Sequence, residues 1–177
     1  MRIVHLAHRF FGAITAVPPD PDDLSWVDQV LDNADLLTQF RRMPYHDQAH
    51  AIGVARAVQA DLADTQWADD PRWLAAALLH DLGKLDSRLG VYGRVVATVS
   101  SGVAGHDMAD AWSDRSGFTR RVGLYLRHPE LGADRIRLAG GPEEAAVWAA
   151  AHQDPERSTT TGFPAPVVTA LLAADDD

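Results

Sequence analysis

Cysteine is absent from this 177-residue chain, which excludes disulfides and thiolate-held zinc or iron–sulfur centres. Any metal must therefore be held by His, Asp or Glu. Lysine is nearly absent as well: Lys84 stands alone among basic side chains that are otherwise all arginine. Positive charge is scarce altogether, with 16 Lys and Arg against 25 Asp and Glu and a formal net charge of -9. That balance argues against duplex nucleic acid as a partner, since neutralising phosphates takes a basic face. No apolar run is long enough to span a membrane, and the N-terminus lacks the charged, apolar and small-residue zones of a secretory signal. A cytoplasmic protein is the expectation.

Period-two strand patterns hardly occur, whereas helix punctuation recurs. Asp20-Pro21, Asp70-Pro71 and Gly141-Pro142 each read as an N-cap followed by proline at the first helical position. His128-Pro129-Glu130 has the same form and predicts His128 at an N-cap, outside the preceding helix. With 46% apolar residues the chain can bury a full core in one domain. The predicted fold is all-α, a single-domain helical bundle over 1–177 with helices near 3–15, 22–31, 34–42, 45–63, 71–83, 91–102, 106–114, 118–127, 129–139, 142–152 and 166–175. The helices of 1–44 are expected to pack on a core formed by 45–177. His5 and His8 share a face of the first helix, which reads as docked on the bundle rather than on a membrane surface. The stretch from Arg157 to Gly162, with Ser158 and three threonines, predicts a flexible surface loop.

The chemistry is concentrated at the ends of apolar runs. Three His-Asp pairs occur, at His46-Asp47, His80-Asp81 and His106-Asp107, but only the middle one ends a long apolar helix and is followed by Gly83 and Lys84. His50 opens another apolar helix, His128 begins one, His152 ends one after Trp148, and Asp175 closes the last. Singly, a buried histidine more often bonds a backbone carbonyl than a metal. Imidazoles and carboxylates converging from separate helices are nonetheless how bundles build metal sites without cysteine. Four histidines and two aspartates suffice for two metals bridged by Asp81, each with open positions for water or substrate.

The ordered set His50, His80-Asp81, His128, His152 and Asp175 resembles the HD superfamily of metal-dependent phosphohydrolases in its two-metal form, over nearly all of the chain from about residue 45. His128-Pro-Glu-Leu-Gly-Ala133 is also similar to the His-Pro-x-x-Gly stretch of the HD-GYP phosphodiesterases. The chain departs from that branch at Gln153, where a second histidine would stand, and carries Gly162-Phe163-Pro164 in place of Gly-Tyr-Pro. The resemblance implies an all-helical HD-type core over 45–177. It also implies two divalent ions, iron or manganese favoured over magnesium, cobalt, nickel or zinc, and a small phosphorylated substrate.

On that basis the expected activity is hydrolysis of a nucleotide or other phosphate ester or phosphodiester by a metal-activated water. Two ions about 3.5–4 Å apart would activate the water and clamp phosphoryl oxygens. Lys84, one turn beyond the ligand pair, is expected to stabilise charge on the phosphate. Arg121, seven residues before His128, is a candidate phosphate contact as well as an ordinary surface arginine. Together with Arg88, Arg94, Arg120 and Arg127 it predicts a basic lip over an acidic molecule. His46, one turn before His50, is a candidate substrate contact or further ligand, or an exposed histidine beside Tyr45. A di-iron oxygenase with the same ligand order and a non-catalytic nucleotide-binding domain stand as the alternatives.

Overall fold

Short polar side chains that bind the backbone start several of the helices. The computed structural model describes residues 17–90, 93, 94, 97 and 108–176, which are all-helical with no strand among them. In chain order the helices are α1 (Pro21–Leu31), α2 (Ala34–Arg41), α3 (Tyr45–Asp61), α4 (Pro71–Leu79), α5 (Lys84–Ser87), α6 (Gly117–Leu126), α7 (His128–Leu138), α8 (Glu143–Ala151), α9 (Pro155–Thr159) and α10 (Ala165–Asp176). Asp20 and Asp70 cap α1 and α4 through their carboxylates, each with proline in the first turn. Asn33 caps α2 and also donates from Nδ2 to Ala139 O at 3.0 Å, tying the α1–α2 corner to the end of α7.

The predicted boundaries need four corrections. Pro142 is itself the N-cap of α8, in an extended conformation, so the helix begins at Glu143. His128 is the first residue of α7 rather than its cap, and Arg127 caps the helix. The helix predicted over 71–83 ends at Leu79; residues 80–83 continue as a turn held by Leu82 N to Leu79 O and Lys84 N to Asp81 O, both 3.0 Å. The predicted loop after Arg157 overlaps α9, capped by Asp154, with the Thr159, Thr160 and Thr161 hydroxyls donating back to carbonyls of the preceding turn. The helix predicted over 3–15 with His5 and His8, most of 91–102, and His106 lie outside the described residues; residues 108–113 are helical.

The centre of the molecule is α4, where every residue from Trp73 to Leu79 is buried. A helix apolar on all sides must be covered on all sides. Helices α3 and α8 pack along it and α1 packs on it as well, while α10 lies on α3 and α7 on α8. Alanine at Ala75, Ala76 and Ala77 of α4, and at Ala145, Ala146 and Ala149 of α8, lets these axes approach. One apolar core runs from Val27 and Phe40 through Leu78 and Ile136 to Leu171 and Ala174. A smaller cluster of Leu89, Ala97 and Val122 packs with Trp112, Tyr125 and Leu126. No described helix is long and apolar enough to cross a membrane.

Two glycines place the turn after α4 against α7. A Cβ on Gly83 would overlap the carbonyl oxygen of His128 and lie 2.6 Å from Gly132 N, and one on Gly132 would lie 3.1 Å from Gly83 N. The backbone after His80-Asp81 therefore rests directly on the first turns of α7, which is the reason for glycine in both segments. Arg135 of α7 reinforces the join, reaching both oxygens of Asp86 in α5 at 2.6 and 2.7 Å and Gln39 of α2 at 2.9 Å. Gly83→Ala is expected to destabilise the fold by about 1–3 kcal/mol through this overlap. Gly53→Ala, on the exposed side of α3 with nothing near the new methyl group, should stabilise by about 0.5–1 kcal/mol. Urea denaturation of the two variants checks the contrast, and equal effects would remove the close-approach argument.

Candidate metal centre

The candidate ligands singled out by the sequence lie at or near helix ends that meet at one point. His50 lies in the second turn of α3, His80 caps the end of α4, Asp81 follows in the turn, His128 opens α7, His152 caps the end of α8 and Asp175 sits in the last turn of α10. Three histidines are oriented by the same local device. His80 Nδ1 bonds Ala77 O at 2.8 Å, His128 Nδ1 bonds Tyr125 O at 2.7 Å, and His152 Nδ1 bonds Ala149 O at 2.8 Å. A carbonyl only accepts, so each Nδ1 carries a proton. In the neutral rings Nε2 is then a lone pair aimed at the centre.

Those lone pairs meet carboxylates. Asp81 Oδ1 is 3.3 Å from His128 Nε2 and 3.7 Å from His152 Nε2, while Oδ2 is 3.4 Å from His80 Nε2 and is bound by Lys84 Nζ. Asp175 Oδ1 lies 3.1 Å from His50 Nε2 and 3.6 Å from His80 Nε2. The His80, His128 and His152 Nε2 atoms are buried with no hydrogen-bond partner; the fourth such side-chain atom among the described residues is Trp73 Nε1. An orphaned buried polar atom costs roughly 1–3 kcal/mol. Three of them are a large charge against a total stability of about 5–15 kcal/mol. Acceptors facing acceptors are reconciled by a cation between them. Three overlapping sets, His50/His80/Asp81, His80/His152/Asp175 and Asp81/His128/His152, each bring their donor atoms within 4.8 Å of one another and can hold a metal ion.

The electrostatics show the same demand for positive charge. Burial resists charging His80, but Asp81 and then Asp175 outweigh it and raise its pKa to about 9. Burial, with His80 beside it, lowers His152 to about 3. Asp81 is held well below the usual carboxylate range despite burial, chiefly by Lys84 and His80. Asp175 is held below it too, against burial, by its bond to His50 and the charge of His80. Without a metal, a proton on His80 occupies part of the role of the cation.

The remaining candidates separate. Lys84 is at the centre, paired with Asp81 and largely buried. His46 stands at its edge, its Nε2 3.2 Å from Arg94 Nη1. Arg121 is exposed and donates from Nε to Ser87 O at 3.1 Å. The break between α6 and α7 at Arg127 removes the common helical face that its spacing from His128 suggested. The expected basic lip is also partly spent on protein partners: Arg127 pairs with Asp110 at 3.0 Å, and Arg94 pairs with Asp47 at 2.6 and 2.7 Å. The Asp47–Arg94 pair is the feature the sequence did not disclose. Asp47 belongs to a His-Asp pair that seemed incidental, and only its burial in the first turn of α3 marks it.

No family model, curated protein or solved structure matches the chain. The raised pKa of His80 contributes stability to the metal-free protein in full below the unfolded imidazole value of about 6.5, and the contribution is lost as pH climbs toward about 9. A bound ion replaces that proton. The rise in melting temperature on adding Mn²⁺ should therefore grow with pH above about 6.5, and should disappear in Asp81→Asn. Scanning calorimetry reads both, and an increment kept by the variant would contradict the site.

Proposed function

We propose that this protein is a metal-dependent phosphohydrolase of the HD type that holds two divalent ions and acts on a small phosphorylated substrate. The observation that supports it best is the division of labour at Asp81, whose two oxygens face different histidines, His80 on one side and His128 with His152 on the other. One ion would be held by His50, His80, Asp81 and Asp175, the other by Asp81, His128 and His152. The all-His/Asp donor set suits first-row metals such as iron or manganese. Three or four protein ligands per ion leave positions open for water and substrate.

When bound, two such ions polarise phosphoryl oxygens and lower the pKa of a water to about 7. The chain's own residues do the rest. The Nδ1–carbonyl bonds keep three imidazoles from turning, so the donor geometry is set before any ligand arrives. The Gly83–Gly132 contact keeps Asp81 at the start of α7. Lys84, anchored on Asp81, offers a compact positive charge to phosphoryl oxygens at the edge of the site. Without metal, Lys84, Arg94 and a protonated His80 only balance Asp47, Asp81 and Asp175, so divalent ions would supply the net positive charge that draws phosphate. That added charge makes anion binding depend on metal.

Elemental analysis of the purified protein, run beside phosphate release from nucleotides, dinucleoside polyphosphates and phosphodiesters, tests the proposal. About two ions per chain with turnover is the expected result. Asp81→Asn should lose both ions and more than about 100-fold in activity, beyond what loss of a residue supporting a ligand costs. Asp175→Asn and His128→Ala should each give up one ion. Two irons with oxygen consumption and no hydrolysis would replace the proposal with the di-iron oxygenase, and metal without turnover would leave a binding domain.

A further inference from the structure

Beside the ligand cluster lies a polar group that the proposed reaction does not yet use. Arg94 and Asp47 form a two-pronged ion pair, Nη1 to Oδ1 at 2.6 Å and Nη2 to Oδ2 at 2.7 Å, with their side chains only 13% and 6% exposed. Arg94 Nε donates to Leu89 O at 3.1 Å, which fixes the guanidinium further. A buried pair of this kind adds little stability over an apolar pair of the same shape, so its effect on its neighbour is the more telling feature. Nη1 also reaches His46 Nε2 at 3.2 Å. Arginine has no acceptor and does not release its proton, so His46 Nε2 must present a lone pair to it.

The proton of the neutral ring is then on Nδ1. That atom has no hydrogen-bond partner among the described residues. Burial pushes the pKa of His46 below the ordinary imidazole value; Asp47 opposes this, and Arg94, Lys84 and His50 add to it, so the ring is neutral at pH 7. The same influences place it within electrostatic reach of the cluster. Asp47 by itself would act the other way. Its Oδ1 is 3.4 Å from Nε2, and an unaccompanied carboxylate would draw a proton to that nitrogen. Arg94 reverses the preference.

We propose that Asp47 and Arg94 are positioning residues that hold His46 as the Nδ1–H imidazole, and that this N–H donates to a phosphoryl oxygen of a substrate seated on the cluster. The second half rests on the phosphohydrolase reading; the first does not. A neutral imidazole N–H is a hydrogen-bond donor and a poor acid, so His46 recognises the phosphate and does not protonate a leaving group. In this role Asp47 and Arg94 act through His46.

Histidine-selective ¹⁵N labelling of the full chain, loaded with diamagnetic Zn²⁺ and read by long-range ¹H–¹⁵N correlation at pH 7, tests the assignment. His46 should show an unprotonated Nε2 and a protonated Nδ1. In Arg94→Met the proton should move onto Nε2. If that variant does not fold, Asp47→Leu with Arg94→Met removes both charges together and should abolish the Nδ1–H-only signature. Inorganic phosphate added to the zinc-loaded protein should shift His46 Nδ1, and His46→Ala should weaken phosphate binding by roughly 10- to 100-fold. His46→Asn, whose amide supplies an N–H near the same place, should restore most of it. An imidazolium or an Nε2–H tautomer in the wild type overturns the positioning role, as does a signature unchanged by removing Arg94. Phosphate that fails to bind, or binds without moving Nδ1, overturns the donor role. Absence of turnover with Nδ1 still shifted by phosphate would reject the hydrolase while keeping this anion contact.

Discussion

Asp81 is a buried carboxylate that faces three orphaned imidazole Nε2 atoms, with Lys84 bound to one of its oxygens. Each group lost its hydration on folding; Lys84 and a proton on His80 compensate the carboxylate in part, and a cation at the centre would satisfy the remaining lone pairs as well. Much of the surrounding architecture serves to keep these groups together. The apolar wrapping of α4 holds His80 at its end, the Gly83–Gly132 approach lays the Asp81 turn on α7, and the ends of α8 and α10 deliver His152 and Asp175. Folding energy from apolar burial thus holds in place a cluster that opposes folding until charge is supplied.

Helix ends suit this task because the backbone there has spare carbonyls. His80 and His152 follow their helices directly, and each binds the carbonyl three residues before it. His128 does the same across the α6–α7 bend to Tyr125 O. The bond satisfies a carbonyl that the terminus leaves open and selects the tautomer whose other nitrogen can take a metal. Bonding to the backbone and holding a metal are therefore compatible in each of these histidines, since Nδ1 serves the carbonyl and Nε2 is left free to take an ion.

The convergent His/Asp set was legible because each member interrupts or ends an apolar run, where a histidine or aspartate is out of place unless it has a partner. Helix existence was legible for the same reason that caps and prolines are: Asp20, Asp70 and the alanine-rich segments act through local backbone chemistry. Boundaries were less so. His128 and Pro142 both read as simple cap signals, yet each stands one position from the place its local pattern implies. Arg121 was promoted by a spacing that holds only within one continuous helix, and the helix breaks at Arg127.

By itself the sequence determined the helical class, the exclusion of thiolate ligands and which side chains are available to hold a metal, because composition, caps and apolar periodicity act over a few residues at a time. Only the tertiary structure decided which of them meet. The pairing of Asp47 with Arg94 spans 47 residues, that of His50 with Asp175 spans 125, and the glycine contact joins two segments with no local relation. Contacts at such separations follow from how helices pack around α4, and no spacing along the chain encodes the distance between two carboxylate oxygens and the imidazoles they face.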